Sequence, residues 1–252
     1  MMDICNYIIW QDEYLVVLDK PPGISVNPSA TEKGLTLVEL VSAGLHISID
    51  RAGIIHRLDK DTSGVLLIAK DQETFVRMQE QFKKRVVYKE YLALTHGWFE
   101  SDSGTIDAPI ERHPFRRERF TVLAGGRDSV TDFFVERRYI FPFEKIVALV
   151  GRMTKKERAF FESQAMRYSL VRLLPRTGRT HQLRVHLKYI HHPIVCDHVY
   201  VGRKLLRFDS RICARQFLHA ACISFQHPVT LAPLSFSSPL PADLSLCLQY
   251  FQ

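Results

Sequence analysis

Apolar and polar positions alternate along this chain in segments that change period, and the period names the elements. In DEYLVVLDKPPG the apolar run Leu15–Leu18 reads as a strand stopped by Pro21 and Pro22, since proline removes a donor and fixes the backbone. TLVELVSAGL opens on Thr36 with Glu39 three residues later, the capping-box signature of a short helix. SGVLLIAK is continuously apolar and predicts a buried strand. Asp71 then caps a helix whose Phe75, Met78 and Phe82 recur on one face. VVYKEYLALT predicts a strand closed by Gly97, and residues 101–130, rich in Gly, Pro and charge, an irregular ribbon. Phe133–Tyr139 and Ile146–Val150 are further strand candidates. Thr154–Gln164 has a second Thr-x-x-Glu start and predicts a polar helical insert. RYSLVRLLP is a strand stopped by Pro175, with Gly178 allowing a tight turn after it. RTHQLRVHLKYI follows as a helix, with Leu183, Leu187 and Ile190 inward and His181, Arg184 and Lys188 together on another face. Beyond Phe217–Phe225 the tail alternates proline with small and apolar residues and predicts strand and loop. Strands and helices mix without a regular βαβ alternation, which favours an α+β fold. No Pro/Gly/Ser linker divides the chain, so residues 1–252 read as a single domain with an insert near 151–166.

Composition narrows the class. Of the 252 residues, 46% are hydrophobic and 24% charged, an ordinary soluble globular balance. The apolar runs are too short to cross a bilayer. The N-terminus lacks a basic segment followed by a long apolar one, so a cytoplasmic protein is expected. The five cysteines are odd in number and form no CxxC, which predicts free thiols. The formal charge of +7 is compatible with mere solubility, but it also suits an anionic partner, because neutralising phosphates releases counterions. Its distribution favours nucleic acid. Arg112, His113, Arg116, Arg117 and Arg119 crowd one short segment, and Arg172, Arg176, Arg179, Arg184 and Lys188 another.

The densest candidate chemistry lies in GIIHRLDKDTSGVLLIAK. Asp59 sits there between Arg57 and Lys60 at the mouth of a predicted buried strand. A nearby guanidinium lowers a carboxylate's pKa and keeps it ionised. Thr62, Ser63 and Gly64 add hydroxyls, backbone amides and a tight turn. By chemistry alone a structural ion pair is the better reading of Asp59. Tyr91 shares a strand face with Lys89 and Ala93, and is either core or a platform for a base. Arg179 lies near a helix start that already favours anions. Histidines 181, 186, 191, 192 and 198 with Cys196 raise the question of a metal. His181 and His186 diverge around a helix, however, and HExxH and CxxC are both absent. GxxxxGK[ST], GxGxxG and Gly-x-Ser-x-Gly are absent too.

In their order along the chain, EYLVVLDKPPGISVNPS, GIIHRLDKDTSGVLLIAK, YKEYLALTHG, IERHPFRRERFTV, TGRTHQLRVHLKYIHHPIVCDHVYVG and LHAACISFQHP resemble the pseudouridine synthases. The branch is the RluA/RluC/RluD-like one, and the small upstream S4-type RNA-binding domain that many relatives carry is expected to be missing. The resemblance implies a mixed, mainly antiparallel sheet with flanking helices around a central basic cleft. It implies that a uridine within RNA becomes pseudouridine with no cofactor and no metal. It makes Asp59 the essential aspartate of His-Arg-Leu-Asp, Tyr91 the active-site tyrosine of Lys-x-Tyr-x-Ala, and Arg184 the basic residue that pairs with the aspartate. Arg57 would assist when the base is extruded. RNA contacts are expected from Arg57, His56, Thr62, Arg112, His113, Arg116, Arg179, His181 and Lys188. The RNA is expected to be ribosomal, with tRNA the alternative and a non-catalytic RNA-binding or ribosome-assembly protein the rival. A cytoplasmic monomer, with neither metal nor membrane as partner, is expected. Where the family reads Pro-Ile-x-Gly-Asp, this chain has Cys196 in place of the glycine, which is expected to distort that turn.

Overall fold

In chain order the secondary structure runs β1 (Ile8–Gln11), β2 (Leu15–Lys20), α1 (Leu37–Leu45), β3 (Ser63–Ala69), α2 (Gln72–Lys83), β4 (Tyr88–His96), β5 (Ser103–Asp107), β6 (Ile110–Arg112), β7 (Phe120–Val122), β8 (Val130–Ile140), α3 (Phe143–Val150), α4 (Lys155–Gln164), β9 (Arg167–Pro175), α5 (Gln182–Tyr189), α6 (Arg203–Asp209), β10 (Leu218–Gln226), β11 (Pro233–Ser237) and α7 (Ala242–Gln249). The structure is a computed structural model and describes residues 3–28, 34–164 and 166–251. Ser29, the last residue of EYLVVLDKPPGISVNPS, and Ala165, inside the expected insert, lie outside the described residues. The chain forms two compact units, Met1–Glu90 with His219–Pro239, and Tyr91–Leu218 with Leu240–Gln252.

In the first unit β2 pairs antiparallel with both β1 and β3, β10 runs parallel to β3, and β11 returns antiparallel on β10. β3 is buried at every position, as its unbroken apolar run requires. Leu15, Val17, Val65 and Leu67 pack with Phe75 and Met78 of α2, while Phe82 closes the cluster from its edge. The predicted caps are present. Thr36 and Glu39 form the full capping box of α1, and Asp71 accepts from Thr74 N at 2.8 Å.

In the second unit β9 is flanked antiparallel by β4 and β8, β5 extends the sheet beyond β8, and β6 and β7 form a separate hairpin. The pairing is therefore mixed and mainly antiparallel, as an α+β chain should be. Five expectations are corrected here. Ile146–Val150 belongs to helix α3, because Phe143, Ile146 and Val150 recur at helical spacing and bury one face, overriding the β-branched composition. The supposed ribbon at 101–130 contains β5, β6 and β7, and the tail contains α7. The Thr154 box forms, but the insert is not simply polar. Phe161 is buried, and its ring packs edge-on against Phe208 of α6. The left-handed residue before α5 is His181, at φ 57°, so His181 stands outside the helix. Arg184 is buried and Lys188 exposed, and the three side chains share no solvent face.

Candidate functional site

Asp59 is half-buried on a turn of the first unit, where its carbonyl accepts from Thr62 N at 3.1 Å. That turn is fixed from below by Lys20, the last residue of β2, which has no exposed surface. Its ammonium donates to the carbonyls of Pro21 (2.8 Å), Lys60 (3.0 Å) and Thr62 (3.0 Å). A buried ammonium needs such a full set of acceptors, and the carbonyls of a tight turn gain a charge-assisted donor in return. Gly23 N adds a bond to Lys60 O at 2.9 Å. On the strand side, Ser63 Oγ donates to His219 Nδ1 (3.0 Å), whose Nε2 donates to Ser238 O (3.0 Å), and Ser238 Oγ reaches Asp19 (2.8 Å). The carboxylate thus stands on a backbone held from both ends. Of the neighbours expected to touch RNA, Arg57 is exposed and Thr62 is buried. His56 is turned inward. Its Nε2 accepts from Leu67 N at 3.1 Å and its ring stacks on Phe82 with centroids 5.0 Å apart. Burial, and then the charge of Lys89, push its pKa down to about 3, so the ring is neutral at pH 7.

In the second unit Tyr91 opens the β4 register opposite Leu173 and is half-buried against the core. Arg184 is 5% exposed. Its guanidinium makes a bidentate pair with the fully buried Asp197, Nε to Oδ2 at 2.7 Å and Nη2 to Oδ1 at 2.9 Å. Asp197 Oδ1 also accepts from Val199 N and Tyr200 N, at 2.9 and 3.1 Å. Arg184 further lies over the Tyr200 ring, 5.1 Å from its centroid. Tyr200 is a hub. Its hydroxyl accepts from Phe120 N at 3.0 Å and shares a hydrogen bond with His181 Nδ1 at 2.8 Å. The β6–β7 hairpin, with Arg112 over Phe120, is thereby fastened to the segment that carries Arg184. Gln182 holds the turn before α5. It accepts from Thr177 and from Arg179 N, and donates to Val130 O and Thr131. Arg179 Nε donates to Asp128 O at 3.2 Å, and Lys188 is exposed.

Sequence reasoning missed Lys20, Asp197 and Tyr200. Asp197 was within reach, as the acid next to the Gly-to-Cys departure, while Lys20 and Tyr200 carried no local signal. At that departure Cys196 adopts φ 58°, the left-handed conformation for which glycine is suited, so this chain keeps the turn and bears the Cβ there. The histidines are spread over separate tasks. His186 bonds Thr131 and Ala108 O, and His192 stacks on Phe99. Among the described residues no three His, Cys, Asp or Glu side chains converge as metal ligands.

The fold and motifs have relatives. The family profile described as RNA pseudouridylate synthase matches residues 14–189. A Xanthomonas campestris protein named ribosomal large subunit pseudouridine synthase D is 37% identical over 252 residues, 96% of this chain and 68% of that one. The Pseudomonas aeruginosa protein of the same name is 35% identical over 253 residues, 96% of this chain and 70% of that one. A Bacillus subtilis protein named uncharacterized RNA pseudouridine synthase YlyB is 34% identical over 244 residues, 94% of this chain and 70% of that one. The solved structure of human RNA pseudouridylate synthase domain containing 1 shares the fold, with a TM-score of 0.71 at 24% identity, covering 95% of this chain and 86% of that one. A profile match over most of the length, joined to relatives this similar over nearly all of this chain, places the chain in the RNA pseudouridylate synthase family.

Proposed function

We propose that this isomerase acts on large-subunit ribosomal RNA, with Asp59 as its catalytic carboxylate and with Tyr91 and Arg184 assisting. The family's reaction turns a uridine within RNA into pseudouridine. The target base must first leave its stack, which costs a few kcal/mol. Arg57 takes the vacated space or a phosphate, and Tyr91 stacks on the extruded ring. Asp59 delivers its carboxylate to the sugar or to the ring carbon. On either route the N1–C1′ bond breaks, the base rotates and C5 bonds to C1′. The C5 proton leaves to solvent and N1 gains one, so the product is an isomer of the substrate. Arg184, held rigid by Asp197, keeps Asp59 charged and aimed. The exposed Arg57, Arg116 and Lys188, with Arg112, His113, Arg179 and His181, meet the RNA, while His56 and Thr62 shape the loop. Residues 1–252 act as a single catalytic domain, a cytoplasmic monomer without metal or membrane.

The observation that carries this reading is the Asp59 turn, a half-buried acid on backbone clamped by a fully buried ammonium. The names of the curated relatives supply the ribosomal target. Pseudouridine mapping across total RNA, with the gene intact, deleted, or carrying Asp59→Asn, tests it. Deletion and Asp59→Asn should erase the same large-subunit sites. The purified variant should bind RNA normally and turn over slower by on the order of 10³-fold or more. Full activity in Asp59→Asn removes the assignment, and sites lost only from tRNA move the target there.

A further inference from the structure

The β6–β7 hairpin ends in a turn that is internally hydrogen-bonded, basic and tipped by one bare aromatic ring. Its register pairs Arg112 with Phe120, so the chain reverses between them. His113 Nδ1 accepts from both Phe115 N and Arg116 N at 3.2 Å. His113 N donates to Arg119 O, Arg119 N to Arg116 O, and the Arg112 guanidinium to Arg117 O. Phe115, held in this frame, is 92% exposed, whereas the next most exposed large hydrophobic among the described residues, Leu231, is 66% exposed. Its only ring neighbour among them is the edge of His113, 6.3 Å away. The side chain therefore adds nothing to the packing of the turn, while keeping an aromatic surface in water opposes solubility.

The surroundings indicate what covers it. Arg116 and Arg117 stand beside it and are exposed, with Glu118 the one acid in the turn. A π-face flanked by guanidinium groups is what an unstacked base on a phosphate chain meets in single-stranded recognition. The base of the turn is anchored through Phe120 and Tyr200 to the start of the α5 segment, so the ring is carried on a short arm tied to that segment. We infer that Phe115 is a stacking platform for a base of the substrate RNA other than the target uridine, with Arg116 and Arg117 on the adjoining phosphates. The inference rests on RNA as substrate, and only its kinetic arm rests on the ribosomal target.

The test uses the full chain and a large-subunit ribosomal RNA transcript carrying tritium at uridine C5, whose release reports turnover. Phe115→Ala should raise KM about 5- to 150-fold, the loss expected for one base–aromatic stack, and leave kcat within about twofold. Phe115→Leu should lose as much, although it keeps apolar bulk, and Phe115→Trp should retain wild-type KM. The indole emission of Phe115→Trp, taken as a difference from wild type, should be quenched by the same RNA. Thermal unfolding of every variant should match wild type, since the ring is outside the core. A wild-type KM for Phe115→Leu or Phe115→Ala, or unchanged emission at saturating RNA, overturns the platform. Should the wild-type chain release no tritium from this transcript, the ribosomal target fails instead. The quenching titration, with this transcript and with total tRNA, then decides the platform by itself.

Discussion

Arg184 carries a buried structural pair besides the catalytic role proposed for it. Its guanidinium is locked to a fully buried carboxylate, so removing it leaves the Asp197 carboxylate, among the described residues, with the Val199 and Tyr200 amides alone. Arg184→Ala should therefore destabilise the protein by about 3–5 kcal/mol in urea denaturation. Its effect on catalysis must be read on the folded fraction, where a further fall in kcat would support the proposed catalytic role. A variant as stable as wild type would show that the pair does not matter to folding. The motif made Arg184 conspicuous in the sequence, but its buried partner was not legible there. The two are 13 positions apart, and the chain between them takes left-handed turns at His191 and Cys196. Lys20 was still less legible. Beside prolines it reads as a solvated charge, yet its acceptors on Lys60 and Thr62 lie 40 and 42 residues away.

At the scale of elements, local rules held where the chain's own neighbours decide. The boxes at Thr36 and Thr154 and the cap at Asp71 formed because each satisfies amides within three residues. They failed where packing decides. In α3 the β-branched residues favoured a strand, and burial of Phe143, Ile146 and Val150 imposed a helix. In α5 every residue from Gln182 to Leu187 is buried, so the expected amphipathic face does not exist and the polar members are paired instead. Gly64 joins the two cases. The motif flagged it as a turn residue, but its need comes from the parallel neighbour strand. There φ is +111°, and a Cβ would stand 2.1 Å from Ala220 O. Gly64→Ala should cost on the order of 3 kcal/mol or more, read as a lower urea midpoint at unchanged slope. A midpoint equal to wild type would mean that β10 yields easily at this point.

For the whole molecule, the +7 charge predicts how RNA binding responds to salt. The logarithm of affinity should fall linearly with the logarithm of salt concentration, by about 0.7–0.9 for each phosphate engaged. Arg116→Gln should weaken binding to every RNA sequence alike and lower that slope by about 1. A slope unchanged by the substitution would remove Arg116 from the interface. The sequence by itself determined the fold class, the family, the candidate acid and the polarity of the partner. Each of these is written in local period, in motif order or in summed charge, none of which depends on how the chain folds back. Tertiary structure alone decided that Lys20 is a buried clamp, that Arg184 belongs to Asp197, that His56 faces inward and that Phe115 faces water. Burial and pairing between distant residues are properties of the packed chain, and a linear pattern of polar and apolar positions does not encode which distant group a given charge will meet.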